Sequence, residues 1–126
     1  MKKILVTGAN GQLGSEIKEL ASNYPQFDFI FTDIDDFPLD QTEVIVSNFK
    51  SIQPDVVINC AAYTAVDKAE QDQVVADAIN HLAIATLATL CSESGAQLVH
   101  ISTDYVFDGT SPVAYTEEDQ PNPKSV

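Results

Sequence analysis

Gly8, Gly11 and Gly14 stand at three-residue steps directly after the apolar run Ile4-Leu5-Val6, and a helical pattern begins among them. A strand that turns sharply into a helix in this way leaves the first helical amides pointing outward without partners. Glycine at the turn lets a diphosphate approach the backbone, and the positive end of the helix dipole favours its charge. Three glycines alone are a weak signal. Asp33 strengthens it, lying nineteen residues after Gly14 at the end of a second strand-like run, Phe27-Asp28-Phe29-Ile30-Phe31. A carboxylate in that place accepts hydrogen bonds from adenosine ribose hydroxyls. The chemistry these residues imply is dinucleotide binding.

The elements that must position these groups alternate along the chain. The pattern predicts strands over residues 3–7, 27–32, 55–59 and 97–102. Helices are predicted over 12–22, with Leu13, Ile17 and Leu20 on one face, and over 43–50, with Val44, Ile45 and Phe49 as the apolar positions. A longer helix is predicted over 71–94, with Val75, Ile79, Leu82, Leu87 and Leu90 near helical spacing and Gly95 as its stop. Beyond Asp108-Gly109 the chain turns acidic and loop-like, with Pro112, Pro121 and Pro123. Alternating strands and helices with near-continuous apolar strands predict an α/β fold. The expected form is a doubly wound parallel sheet of the Rossmann type, in one domain over residues 1–126, with strand order 3-2-1-4. Ligands bind such sheets beyond the carboxyl ends of the strands, here expected at the switch between strands one and four. Gly8–Gly14, Asp33, Asn59–Thr64 and Ser102–Asp104 all fall at such ends.

Composition narrows the partners. The 126 residues hold nineteen acids, six lysines and no arginine, for a formal net charge of −13. That field repels nucleic acid and anionic membranes, so neither is an expected partner. No run approaches the ~18 uninterrupted apolar residues of a membrane span. The strand directly after Met1 leaves no signal-peptide pattern. Cys60 and Cys91 read as reduced thiols of a cytoplasmic protein. His81 and His100 have no ligand partners at metal spacing, so no metal site is expected. Asp33 would face the 2′-phosphate of an NADP cofactor, with Asp35 close by and no arginine to offset them. Two unit charges at 4 Å repel by roughly 4 kcal/mol at an effective dielectric of 20. NADH is therefore favoured, with NADPH as the alternative if a lysine compensates.

Three stretches together resemble the extended short-chain dehydrogenase/reductases that act on nucleotide sugars. They are Thr7-Gly8-Ala9-Asn10-Gly11-Gln12-Leu13-Gly14, the run from Asp55-Val56-Val57-Ile58-Asn59 through Cys60-Ala61-Ala62-Tyr63-Thr64 to Glu70, and Ile101-Ser102-Thr103-Asp104-Tyr105-Val106-Phe107-Asp108-Gly109. The resemblance covers essentially the whole chain. It is strongest to the branch that reduces the 4-keto group of dTDP-4-dehydro-L-rhamnose to give dTDP-L-rhamnose. It implies that Gly11, Gln12 and Leu13 hold the diphosphate and that Asp33 binds the adenosine ribose. It further implies that Asp40 and Gln41 lie by the adenine, and that Ala62, Tyr63 and Thr64 line the path to the nicotinamide. Ile101 would touch that end through its backbone, Thr103 would be the catalytic hydroxyl, and Asp104 would adjoin the sugar. Asn80 stands either as an active-site hydrogen-bonding residue or as a plain polar position. Some relatives place an acid at the Glu16 position on magnesium at a dimer contact, which leaves a magnesium ion and a homodimer as open alternatives.

The resemblance also exposes a gap. Its proton donor is a tyrosine followed four residues later by lysine. Tyr24, Tyr63, Tyr105 and Tyr115 are followed at that distance by Asp28, Asp67, Gly109 and Asp119. The family tyrosine comes directly after a segment like Gln120–Val126, so the chain reads as an N-terminal fragment of a longer reductase, inactive alone. Sugar dehydratases pair an Asp with a following Glu, whereas Tyr105 follows Asp104. An epimerase, or a non-catalytic NAD-binding regulatory module, remains the alternative.

Overall fold

Residues 1–125 are described by the structure, a computed structural model, and Val126, the last residue of the expected domain, lies outside the described residues. Four parallel strands carry it: β1 (Lys2–Thr7), β2 (Phe27–Phe31), β3 (Val56–Asn59) and β4 (Gln97–His100). Helices α1 (Gln12–Leu20), α2 (Thr42–Ile52), α3 (Val66–Ala69) and α4 (Gln73–Ser94) fill the connections. Every strand and helix expected from the pattern is present within a few residues, and α3 is an added short turn of helix. The doubly wound parallel class is as expected.

The strand order is not. The sheet runs β2-β1-β3-β4, rather than 3-2-1-4. β1 pairs on one side with β2, from Lys2 opposite Phe27 to Val6 opposite Phe31, and on the other with β3, from Ile4 opposite Val56 to Thr7 opposite Asn59. β4 then pairs with β3. The physical reason lies in which strands can tolerate an edge. β2 alternates an exposed Asp28 with half-buried phenylalanines, whereas Val57 is fully buried and Ile4, Leu5 and Val6 are buried in sequence. The two most apolar strands take the centre, and the chain leaving β2 must cross β1 to reach β3. The switch between opposite crossover directions therefore falls between β1 and β3, not between strands one and four.

Right-handed crossovers running in opposite directions put α1 and α2 on opposite faces of the sheet. On the α2 face, Leu5 and Val57 pack with Ile45 and Phe49 of α2 and with Ala83, Leu87, Leu90 and Cys91 of α4. Phe37 and Leu39, from the loop after β2, complete that core. On the other face Phe27 meets Phe29 edge to face, Phe29 stacks on Phe31, and the Lys18 ammonium of α1 lies 5.9 Å from the Phe31 ring centre. Both cysteines are unpaired. Gly95 ends α4 at φ 77°, the left-handed stop expected of it. By length and composition α4 is apolar enough to cross a membrane, and here its inner face is buried against the sheet.

Candidate nucleotide-binding crevice

At the carboxyl ends of β1 and β3 a polar stitch fixes the floor. Thr7 Oγ1 donates to Asn59 Oδ1, both fully buried. The Asn59 amide nitrogen donates to Ala61 O at 3.3 Å and to His100 Nδ1 at 3.1 Å. An amide NH2 can only donate, so His100 accepts at Nδ1 and carries its proton on Nε2. Three strand ends are tied together by one asparagine, and His100 is a structural acceptor there.

Above this floor the chain reverses at Gly8, whose φ of +64° favours glycine. Gly11 N–H donates back to Gly8 O at 3.0 Å, and Ser15 N–H bonds to Gly11 O as α1 begins. No side chain caps that helix start, so the amides of Gln12 and Leu13 face outward without intrahelical partners. The strand, tight turn and helix start that the glycine spacing predicted are all present here.

Asp33 holds the turn from the β2 side. Its two carboxylate oxygens accept from Asn10 N–H at 2.7 Å and Ile34 N–H at 2.8 Å. The loop 33–41 then folds over, with Phe37 N–H on Asp33 O at 2.7 Å and the Asn48 amide nitrogen on Asp36 O at 2.8 Å. Between these segments lies an open crevice of about 820 Å³. Its walls include Gly8, Gly11, Gln12, Leu13, Glu16 and Asp33 on one side, and Cys60, Ala61, Ala62, Thr64 and Ile79 on the other. Ile34, Phe37 and Leu39 form an apolar end. Burial pushes the Cys60 thiol above its usual pKa, so it stays protonated at neutral pH.

Seven of the expected site residues meet in this crevice: Gly8, Gly11, Gln12, Leu13, Asp33, Ala62 and Thr64. Gly14 sits beneath the turn, buried against Gly8 and Ala9 rather than lining the space. Asp40 and Gln41 are exposed, and Gln41 O accepts from Val44 and Ile45 at the start of α2. The adjacent wall is made instead by Phe37 and Leu39. Their alternation in an otherwise acidic stretch was the available signal. Ile101, Thr103 and Asp104 lie past β4, exposed and outside the crevice wall. Thr103 Oγ1 accepts from Tyr105 N–H at 3.2 Å and lies 3.4 Å from an Asp104 carboxylate oxygen.

Tyr63 is held by its backbone more than by its ring. Asn80 accepts from Tyr63 N–H at 2.8 Å and donates to Tyr63 O at 3.1 Å. Asn80 belongs to the one wide turn of α4, Ala78–Leu82, where the helix shifts to π geometry. Such turns mark places where a helix trades regularity for a directed side chain. The phenol donates to Asp72 at 3.2 Å, and burial together with that carboxylate pushes its pKa up. Asn80→Ala should release both bonds. A hydrogen bond worth ~1 kcal/mol net predicts about fivefold faster hydrogen exchange at the Tyr63 amide. Unchanged exchange would show that the 60–64 loop is held by something else.

Comparison with known proteins agrees with this architecture. The model of the RmlD substrate binding domain matches residues 1–126. A dTDP-4-dehydrorhamnose reductase of Sinorhizobium fredii is 39% identical over 124 residues, 98% of this chain and 41% of that protein. The crystal structure of a dTDP-4-dehydrorhamnose reductase from Clostridium acetobutylicum superposes with a TM-score of 0.90 at 45% identity, covering 98% of this chain and 44% of that one. The Bacillus anthracis reductase, solved in complex with NADP, gives 0.88 at 36% identity over 98% of this chain and 44% of its own. The chain thus spans about two fifths of the length of the curated relatives it matches. With the family model matching residues 1–126 and curated relatives 34–44% identical covering nearly all of it, the chain belongs to the RmlD substrate binding domain family, within the extended short-chain dehydrogenase/reductases.

Proposed function

We propose that this chain is the nucleotide-binding part of a dTDP-4-dehydrorhamnose reductase, which reduces a 4-keto sugar carried on dTDP with a reduced nicotinamide cofactor. The observation that carries this reading is the convergence of the glycine turn, Asp33 and the 60–64 loop on one crevice at the sheet's switch point. The residues present fit a dinucleotide. Outward amides of Gln12 and Leu13 suit a diphosphate, Asp33 suits a ribose diol, and the end formed by Ile34, Phe37 and Leu39 suits a flat base. A bound reduced nicotinamide supplies the hydride for a keto carbon. Thr103 would then hold the oxygen that gains charge, with Asp104 beside the sugar. The chain spans about two fifths of the length of the curated relatives it matches, so turnover is proposed for a protein of that full length. That protein should oxidise NADH when given dTDP-4-dehydrorhamnose. Strong turnover of an unrelated keto sugar with none of this one would reject the assignment.

Cofactor preference follows from Asp33. Its carboxylate would face a 2′-phosphate, and no arginine offsets it, which favours NADH even though the Bacillus anthracis relative binds NADP. Asp33→Asn removes the charge. It also weakens one bond to the glycine loop, which should affect both cofactors alike, so the ratio of affinities isolates the charge. Screened repulsion of a third of the ~4 kcal/mol limit predicts a shift of about tenfold toward NADPH. Fluorescence titration with both cofactors reads it, and an unchanged ratio would remove Asp33 as the discriminating group.

A further inference from the structure

After Thr103 and Asp104 the chain makes an excursion over residues 106–122 that closes on itself. Asn122 N–H donates to Val106 O at 3.0 Å, so the loop's entry and exit lie side by side. Inside it, one carboxylate collects four donors. Asp108 Oδ1 accepts from Thr110 N–H at 3.0 Å, Thr110 Oγ1 at 2.7 Å and Tyr115 Oη at 3.1 Å. Its other oxygen accepts from the Asn122 amide nitrogen at 3.1 Å. Tyr115 Oη also accepts from Ser111 N–H at 3.1 Å, and its ring stacks on Phe107 with centres 4.3 Å apart.

The four donors are all neutral groups, and they come from three separate points of the loop. A carboxylate suits that task because it offers acceptor sites on both oxygens and cannot donate. These bonds hold the Asp108 carboxyl well below the usual carboxylate range. Removing the side chain would release positions 110, 115 and 122 together. The Asn122–Val106 bond would still join entry to exit, and Tyr115 would keep its stacking on Phe107 and its bond from Ser111 N–H.

We propose that Asp108 is a positioning residue, locking the 106–122 loop so that the Thr103-Asp104 pair and the chain leaving Asn122 are held in fixed register. The proposal rests on the function proposed above, in which Thr103 holds the reacting oxygen. Small misplacements of such groups cost large factors in rate while leaving cofactor contacts intact.

The test uses the full-length protein carrying Asp108→Ala or Asp108→Asn. Expected for Asp108→Ala are a kcat lower by ~10-fold or more, an NADH affinity within about twofold of wild type, and chymotryptic cleavage after Tyr115 faster by ~10-fold. Asp108→Asn keeps one acceptor oxygen and should fall between. A kcat within about twofold of wild type, with the loop cleaved, would overturn the proposal, as would cofactor affinity and kcat falling together with the melting temperature. Should wild type itself fail to turn over the keto sugar, the proposed function fails, and the amide signals of Thr103 and Tyr105 still decide about Asp108. Moved or broadened signals in Asp108→Ala support it, and unmoved ones overturn it.

Discussion

Replacing Gly14 with alanine should lower stability by ~2–4 kcal/mol, through overpacking that has no soft neighbour to absorb it. For a domain of about this size that is a fall in melting temperature of roughly 10–20 °C. A Cβ there would stand 2.3 Å from Gly8 O, 2.6 Å from Ala9 Cα and 2.9 Å from Gly8 C, all of them backbone atoms. Gly8 cannot give way, because it is pinned on its other side. Its own Cβ position lies 2.6 Å from Ala61 N and 2.7 Å from Ala61 Cα. The turn is thus sandwiched between α1 and the start of the 60–64 loop, and relief requires α1 to lift off β1. Gly11 is the contrasting case. A Cβ there meets only Gly8 O at 3.2 Å, and its φ of −75° is open to any residue. Gly11→Ala should keep stability within about 1 kcal/mol while weakening dinucleotide binding, since the methyl group would occupy the approach to the α1 amides. Thermal unfolding of both variants, with NADH titration of Gly11→Ala, separates the two roles. Equal, small losses of stability in both would show that α1 sits farther from the turn than described.

That contrast also shows what the sequence could disclose. Spacing announced a strand, a turn and a helix, since those depend on neighbours a few residues apart. It could not tell a glycine that faces ligand from one that faces another backbone. Gly14 carries its requirement from Gly8 and Ala9 across the turn, and Gly8 from Ala61, fifty-three positions away in the chain. Strand order was hidden for the same reason. The apolar runs of β1 and β3 were visible, but pairing between them is a non-local contact, and only their shared burial fixes it. The crevice's apolar end was missed because Phe37 and Leu39 are a single alternating pair in an acidic stretch, too short to mark an element. Their packing against Ile45 and Phe49 gives them their place. Likewise the wide turn of α4 showed in the apolar stripe only as the single five-residue step from Leu82 to Leu87, which does not by itself say where or how a helix widens. Asp33 was legible as an acid at the end of β2. Its bond to Asn10 N–H, which makes it a brace for the glycine turn as well, was not.

In the full-length protein, Thr103→Val should lower kcat by ~10²-fold or more while leaving NADH affinity within about twofold. Valine keeps the branched shape and removes the hydroxyl, so the loss reads the oxygen atom alone. Thr103 is exposed, and its Oγ1 is engaged by Tyr105 N–H at 3.2 Å and faces Asp104 at 3.4 Å. The first bond orients the hydroxyl oxygen. The second is long, so the hydroxyl proton is weakly committed and can turn to a substrate oxygen at little cost. A group that donates chiefly as negative charge develops on the ketone contributes to kcat rather than to cofactor binding. Thr103 does not line the crevice and bonds only within residues 103–105, so removing its hydroxyl should not disturb the glycine turn or Asp33. Thr103→Ser restores the donor and should recover most of the rate. A valine variant with kcat within about threefold of wild type would show that the oxygen is stabilised elsewhere, and one that loses NADH affinity equally would place Thr103 in the cofactor site.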